Sequence, residues 1–548
     1  MRHSTIPRRS RALTGTALAA ALLISACGGE DGNGDEGGNG GEEGGGAGDI
    51  LIGTTDVKVT IDPAGSYDNA SFLIMNQVYP FLLNSQPGES DVEPDIAETA
   101  EFTGETEFTV TLKEGLTFAN GNELTASDVK FSFDRQTDIM HENGPAYLLS
   151  NLESVETPDD HTVVFHLAEP DQTFPQVLSS PAAPIVDEEV FPADELLADD
   201  DIVAEQAFAG PYVIDDYSFN DIVTLSPNEA YEGLLGAPEN DSVTIEYYSE
   251  SSNLRMAVEQ GDVDIAYRTL LATDVDDLRE VDGLNVIDGP GGEIRYMVFN
   301  LAVMPYGTQT EEADAEAALA VRQAVADILD REEISEQAFL SSYTPLYSFV
   351  PEGLTGANQA LMELYGDGSG GPDADRAAER LEEAGVETPV ELHIEYGTDR
   401  YGEASADEYA MIRDQLNETG LFDVTIQSTE WTQFTEERTQ DIYPAHQLGW
   451  FPDYSDADNY LSPFFHSENF LANHFSDEEI DAALIDQVTE EDPEEREAKI
   501  EELQYMVAEH LPTLPMQQGA QTAVTADYID GVVLDGSFKF RFGSITAE

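Results

Sequence analysis

Basic residues are scarce in this chain. Its 548 residues include 23 lysines and arginines against 111 aspartates and glutamates, a formal net charge of −88. The lysines are Lys58, Lys113, Lys130, Lys499 and Lys539 alone. No basic stripe exists to meet a phosphate backbone, so nucleic acid is excluded as a partner. An acid excess of this size strains a compact fold in dilute buffer through self-repulsion. At about 1 M salt the Debye length falls to roughly 3 Å and most of the repulsion is screened. The carboxylates are spread along the whole chain, so we read a surface suited to concentrated salt, not a patch for cations or basic partners.

Cysteine is almost absent: Cys27 is the only one, and no disulfide can form within the chain. Catalytic motifs are missing as well. In the run Gly366-Asp367-Gly368-Ser369-Gly370-Gly371, Asp367 stands where a G-x-S-x-G elbow needs glycine. His141-Glu142-Asn143-Gly144-Pro145 is not H-E-x-x-H, and neither a P-loop nor a G-x-G-x-x-G after a strand is found. His446, His466 and His474 fall in one region without metal-ligand spacing. Paired carboxylates are too common here to mark acid–base catalysis. The reading is a chain that is not an enzyme, with no cofactor and no metal.

Long apolar runs are missing except at residues 12–24, which are too few to span a bilayer. Arg2, Arg8, Arg9 and Arg11 precede this run, and Ser25-Ala26-Cys27-Gly28 follows it. The pattern predicts a signal peptide over residues 1–26. Small residues before Cys27 resemble a lipobox, which implies cleavage before Cys27 and a lipid on its sulfur. Arg8-Arg9 leaves Sec and twin-arginine export both open. Residues 27–49 continue as the modified Cys and a Gly-rich acidic tether.

Past the tether the local signals are those of a mixed α/β chain. Phe108, Val110 and Leu112 alternate with polar residues as in a half-buried strand. Asn120-Gly121 predicts a turn. Thr125 and Asp128 predict an N-cap and its capping box. Ile50, Ile52 and then Val57, Val59 suggest strands. Residues 316–337 carry one amphipathic helical pattern. Helix and strand alternate from residue 374 to 428, which predicts an α/β lobe. Residues 523–526, 531–534 and 538–542 read as short strands.

The order of residues is more specific than their periodicity. Pro94, Ile96, Ala97, Glu98, Leu112, Gly115, Phe118, Gly121, Thr125, Ala126, Asp128, Val129, Phe131 and Ser132 reproduce P-x-L-A-E, L-x-x-G-x-x-F-x-x-G and T-A-x-D-V-x-F-S. Residues 448–465, LGWFPDYSDADNYLSPFF, resemble G-W-x-x-D-Y-x-D-P-x-x-F, with Ala457 in place of Pro. This set resembles the signature of the family 5 solute-binding proteins of ABC importers. Ala100 stands where that family has Trp, and Phe208 where it has Gly before G-P-Y.

The resemblance implies an α/β fold of two lobes, periplasmic-binding-protein-like, type II, with an extra inserted subdomain. The implied boundaries are lobe I over 50–85, 206–300 and 515–548, an inserted subdomain over 86–205, and lobe II over 301–514. It implies a monomer, attached to the membrane only through lipidated Cys27, that captures di- or oligopeptides outside the cytoplasm. The lobes would close about a hinge and pass the ligand to an ABC permease and ATPase complex. Asp453 would meet the ligand's ammonium, with Trp450 and Tyr454 bordering the same pocket. An oligosaccharide, nickel chelate or haem is the alternative cargo within the family. A secreted hydrolase and a surface sensor are the alternatives outside it.

Overall fold

The computed structural model describes residues 48–268, 270–397, 400–401, 404–537 and 539–547. The signal segment, Cys27 and Phe538 lie outside the described residues.

The capping box forms as its sequence predicts. Thr125 is the N-cap of the helix Ala126–Ile139, and Asp128 returns a bond to the Thr125 N–H at 2.8 Å. That helix covers a four-stranded antiparallel sheet ordered Ala97–Gly104, Glu107–Leu112, Thr162–Leu167, Leu152–Asp159. Phe108, Val110 and Leu112 point inward as their alternation predicts, and Phe133 of the helix meets Phe165 edge-on at 5.0 Å. At the end of the helix Arg135 makes two 2.7 Å bonds to the Asp62 carboxylate. Both side chains are buried, so this ion pair ties the small sheet's helix to the turn before the helix Asn69–Val78.

Among the described residues the main sheet has eleven strands. Its centre is a pair of long antiparallel strands, Leu284–Phe299 and Thr513–Ala526. On one flank follow Ile265–Tyr267, Asp49–Thr54, Ser242–Tyr247, Ile222–Pro227 and Tyr212–Ser218. On the other follow Ala445–Trp450, Val390–Gly397 and Phe422–Thr429. The last two are parallel and joined through the helix Ala404–Glu418, a βαβ unit. The short strand Tyr343–Pro345 also pairs with Thr513–Ala526.

The central ladder is irregular at two places, a wide break after Pro290 and a one-residue shift between Arg295 and Tyr296. Pro290 faces Ala520, and pairing resumes only at Ile294 with Gln518. Gly291 and Gly292 fill the gap. A Cβ on Gly291 would sit 2.1 Å from the Gly519 carbonyl oxygen, and one on Gly292 would sit 2.5 Å from that of Gly536. No residue with a side chain fits so close a crossing of backbones. The apolar core divides at the same place. One buried cluster runs from Ile294 through Met516, and another combines residues 50–267 with Ala523 through Ile545.

Several local expectations differ from what forms: residues 531–534 and 539–542 are not strands, the strand before them being Ile529–Asp530. Val57 and Val59 are not in a strand: Val57 is 70% exposed while Lys58 between them is 1% exposed. The Lys58 ammonium lies 4.5 Å from the Tyr217 ring centre and 4.0 Å from that of Phe219, so cation–π contact inverts the hydrophobic pattern. Burial lowers its pKa to about 8. Residues 316–337 form two helices, Ala315–Ile328 and Arg331–Ala338, because Asp330 caps the second by accepting from Glu333 N. Residues 523–526 are the end of a 14-residue strand, not a separate one.

Candidate functional site

The strand Ala445–Trp450 pairs along Ile294–Phe299 and ends with Trp450 beside Ile294, at the break in the central ladder. The chain then turns through Phe451–Tyr460, and Asn459 organises that turn. Its Oδ1 accepts from Trp450 Nε1 at 2.9 Å and from the Asp453 N–H at 3.0 Å. Its Nδ2 donates to Asp453 Oδ2 at 3.3 Å. Asp456, three residues on from Asp453, takes a two-pronged bond from Arg496 at 2.8 and 2.7 Å. The carboxylate of Asp453 is therefore held in place by its own loop.

Asp453 is 7% exposed. Its Oδ1 accepts from the hydroxyl of Tyr147 at 3.2 Å and from that of Tyr67. Tyr67 precedes the helix Asn69–Val78 and Tyr147 lies in the turn Ala146–Leu149, both remote in sequence. Their rings meet edge-on at 5.5 Å. Hydroxyls and an amide hold this carboxylate, and among the described residues no cation is bonded to it. Burial pushes its pKa up to about 7, and Asn459 counters only part of that.

A cavity of about 480 Å³ opens beside Asp453, lined among others by Tyr67, Trp431, Trp450 and Phe470. A second, of about 590 Å³, adjoins it, and Arg268, Arg400, Tyr401 and Phe451 line both. Their volumes are those of small-molecule sites. Arg400 is exposed and lies over the Trp431 ring at 5.5 Å from its centre. Arg268 stands 3.5 Å from Asp56. Arg438 donates to the carbonyls of Phe470 and Leu471 at 3.3 and 3.2 Å. Arg295, on the central strand, is buried at the floor of the second cavity, 3.5 Å from Glu293 and 3.6 Å from Glu408. Burial raises Glu408 to about 7 even so near Arg295. A chain poor in cations thus lines one pair of cavities with Arg268, Arg295, Arg400 and Arg438.

Of the residues singled out from sequence, Asp453 and Trp450 line the first cavity. Tyr454 is not among its lining residues; its ring packs against the cluster formed by residues 50–267 and the C-terminal segment. Tyr67, Tyr147, Asn459, Arg268 and Arg400 escaped the sequence reading. Arginine scarcity was the usable signal for the last two. Nothing local marks the tyrosines. His446 is a core residue: burial lowers it to about 3, and Phe434 and Tyr443 flank it at 5.9 and 6.2 Å. His474 bonds Asp441 at 2.7 Å. Among the described residues no group of three or more His, Cys, Asp or Glu is placed to hold a metal ion, and no helix is long and apolar enough to cross a membrane.

Residues 91–471 match the model for bacterial extracellular solute-binding proteins, family 5. The chain is 21% identical over 544 residues to the dipeptide-binding protein DppE of Bacillus subtilis (strain 168), a match spanning 95% of each chain. It is 24% identical over 559 residues to heme-binding protein A of Haemophilus influenzae, spanning 94% of this chain and 96% of that one. The probable D,D-dipeptide-binding periplasmic protein DdpA of Escherichia coli (strain K12) is 27% identical over 326 residues, 58% of this chain and 60% of that protein. Among solved structures, HbpA2 from Haemophilus parasuis superposes with a TM-score of 0.78 at 20% identity, covering 91% of this chain and all of that one, 100%. The periplasmic binding protein DppA from Helicobacter pylori, solved in complex with the peptide STSA, does so at 0.69 and 19%, covering 91% of this chain and 98% of that one. These likenesses place the mixed α/β fold among the type II periplasmic binding proteins. The chain belongs to family 5 of the bacterial extracellular solute-binding proteins, non-enzymatic transport proteins that work outside the cytoplasm.

Proposed function

We propose that this chain captures peptides with a free amino terminus and delivers them to an ABC permease. The observation that carries the reading is Asp453: a buried carboxylate beside a cavity, bonded to hydroxyls and an amide and, among the described residues, to no cation. An ammonium entering there supplies the missing charge and relieves the cost of burying an anion. The Tyr67 and Tyr147 oxygens can accept from the same ammonium while their hydrogens stay on the carboxylate. The pocket's walls also keep salt ions from screening the pair, as brine would screen it at the surface. Arg400 and Arg268, at the junction of the cavities, suit the ligand's carboxylate. Similarity to proteins named for dipeptides supports the same substrate class.

In this reading, lobe I comprises 50–85, 206–300 and 515–548, lobe II comprises 301–514, and 86–205 is an insert in lobe I. The lobes turn about the glycine break in the central strands. Tyr67 and Tyr147 approach Asp453 from lobe I and its insert, so only the closed form grips the ammonium from both sides. Lipidated Cys27 and the acidic tether hold a monomer at the membrane, and the ATPase of the partner complex supplies the energy.

The test is calorimetry in about 2 M KCl, a salt level at which surface charge is screened. A free-amino peptide and its N-acetylated form are compared on the wild type and on Asp453→Ala. The wild type discriminates strongly between them and the variant loses that discrimination. Equal losses for both peptides remove Asp453 from the site.

A further inference from the structure

We propose that the second cavity is a subsite for an apolar or aromatic part of the solute, closed over by Leu271 and Leu340. The proposal rests on the peptide reading above, with the amine at Asp453. The two cavities share Arg268, Arg400, Tyr401 and Phe451 in their walls, so a ligand anchored in the first lies next to the second. About 590 Å³ is ample space for a large side chain.

The rim is apolar where water would favour polar residues. Leu271 is the N-cap of the helix Ala272–Leu278 and is 43% exposed. Leu340 follows the helix Arg331–Ala338 and is 40% exposed. Both line the cavity, as do Val275 and Phe451. Leu340 and Ser341 hold left-handed backbone, φ 50° and 61°, which costs free energy in residues that carry a Cβ. The bond from Ser341 N to Ser335 O at 3.0 Å holds that turn, and it keeps the leucine at the cavity instead of in the core. Backbone strain spent on exposing a leucine makes sense if something covers the leucine.

The polar groups on the floor are largely engaged with one another. Glu293 accepts from the Tyr343 hydroxyl at 2.8 Å and lies 3.5 Å from Arg295. The Arg295 guanidinium also lies 5.0 Å from the Phe339 ring centre and 4.7 Å from that of Tyr343. Gln521 Oε1 accepts from the Tyr267 hydroxyl at 2.9 Å, and its Nε2 donates to the Asp535 carbonyl. Beside these bonded groups, Leu271, Val275, Leu340 and Phe451 offer an entering group apolar surface to cover. That favours side chains such as Leu and Phe over charged ones.

The experiment is a calorimetric scan of free-amino pentaalanine and its five single Ala→Phe variants, on the wild type and on Leu340→Asp and Leu271→Asp. Phe at one position beyond the first binds about tenfold or more tighter than alanine, the return expected from burying a phenyl ring. In each leucine variant that Phe-to-Ala ratio drops below about threefold, half or less of the free-energy gain. The proposal is overturned if no position prefers Phe, or if the preference survives in both variants. Failure of every peptide to bind, or equal binding of the N-acetylated peptide, overturns the amine reading and the subsite with it. Alanine peptide binding without any Phe preference overturns the subsite alone.

Discussion

Binding of an ammonium at Asp453 has to be pH-dependent, and the structure sets the window. Burial raises this carboxyl from an ordinary 3.8 to about 7. The buried group therefore favours the proton: the stabilisation from a neutral Asp453 is full below about pH 4 and is lost as pH rises through about 7. Ligand binding runs the other way, because the ion pair needs the carboxylate. Below pH 7 each binding event must release that proton, and affinity falls about tenfold per pH unit, or roughly 100-fold between pH 7 and pH 5. Above about pH 8 the peptide's own α-amino group loses its proton and affinity falls again. Calorimetry from pH 5 to 9 should give a bell with its top between about 7 and 8. Repeating it near pH 6 in buffers of different ionisation enthalpy should show close to one proton released. Glu408 and Asp458 are also raised to about 7, so Asp453→Asn is the control that assigns the acid limb. The reasoning is refuted if affinity is flat from pH 5 to 8, or if the acid limb persists unchanged in Asp453→Asn.

Three further outcomes follow from the fold. Arg135→Ala leaves the Asp62 carboxylate buried without its counter-charge, held only by backbone N–H groups such as that of Leu197, and urea titration should record a loss of about 3–5 kcal/mol. Gly292→Ala places a methyl 2.5 Å from the Gly536 oxygen and from Pro452 Cγ; a melt should show about 1–3 kcal/mol of overpacking strain, while Ala at the open position Gly536 produces no such clash. Because net charge is −88, raising KCl from about 0.1 to 2 M should raise the thermal midpoint, since the Debye length shrinks from roughly 10 Å to under 3 Å. A midpoint that falls over that range would contradict screening of carboxylate repulsion as the reason.

What could be read from the sequence was local or ordered by fixed spacing. The Thr125–Asp128 capping box involves four adjacent residues, and it forms as expected. The alternation in Phe108–Val110–Leu112 survives because one face of that sheet is solvated and the other buried. The family was legible because its signature is a chain of spacings, not a composition. Long-range partners were not legible. Lys58 sits inside only because Tyr217 and Phe219 arrive from far along the chain, and hydrophobic periodicity treats lysine as exposed. The hydroxyls of Tyr67 and Tyr147 reach Asp453 across more than 300 residues of sequence, 386 and 306. Tyr454, adjacent to Asp453, turns into an apolar cluster instead of toward the cavity. Adjacent residues in an irregular turn need not share a face, and no periodicity exists there to tell them apart.

The most direct test of the account is a crystal structure of the protein with a free-amino peptide that it binds. The peptide's ammonium should lie within about 3 Å of an Asp453 oxygen, between the Tyr67 and Tyr147 hydroxyls, with the chain running toward Arg268 and Arg400. A peptide lying elsewhere, or with its amine turned away from Asp453, would contradict it.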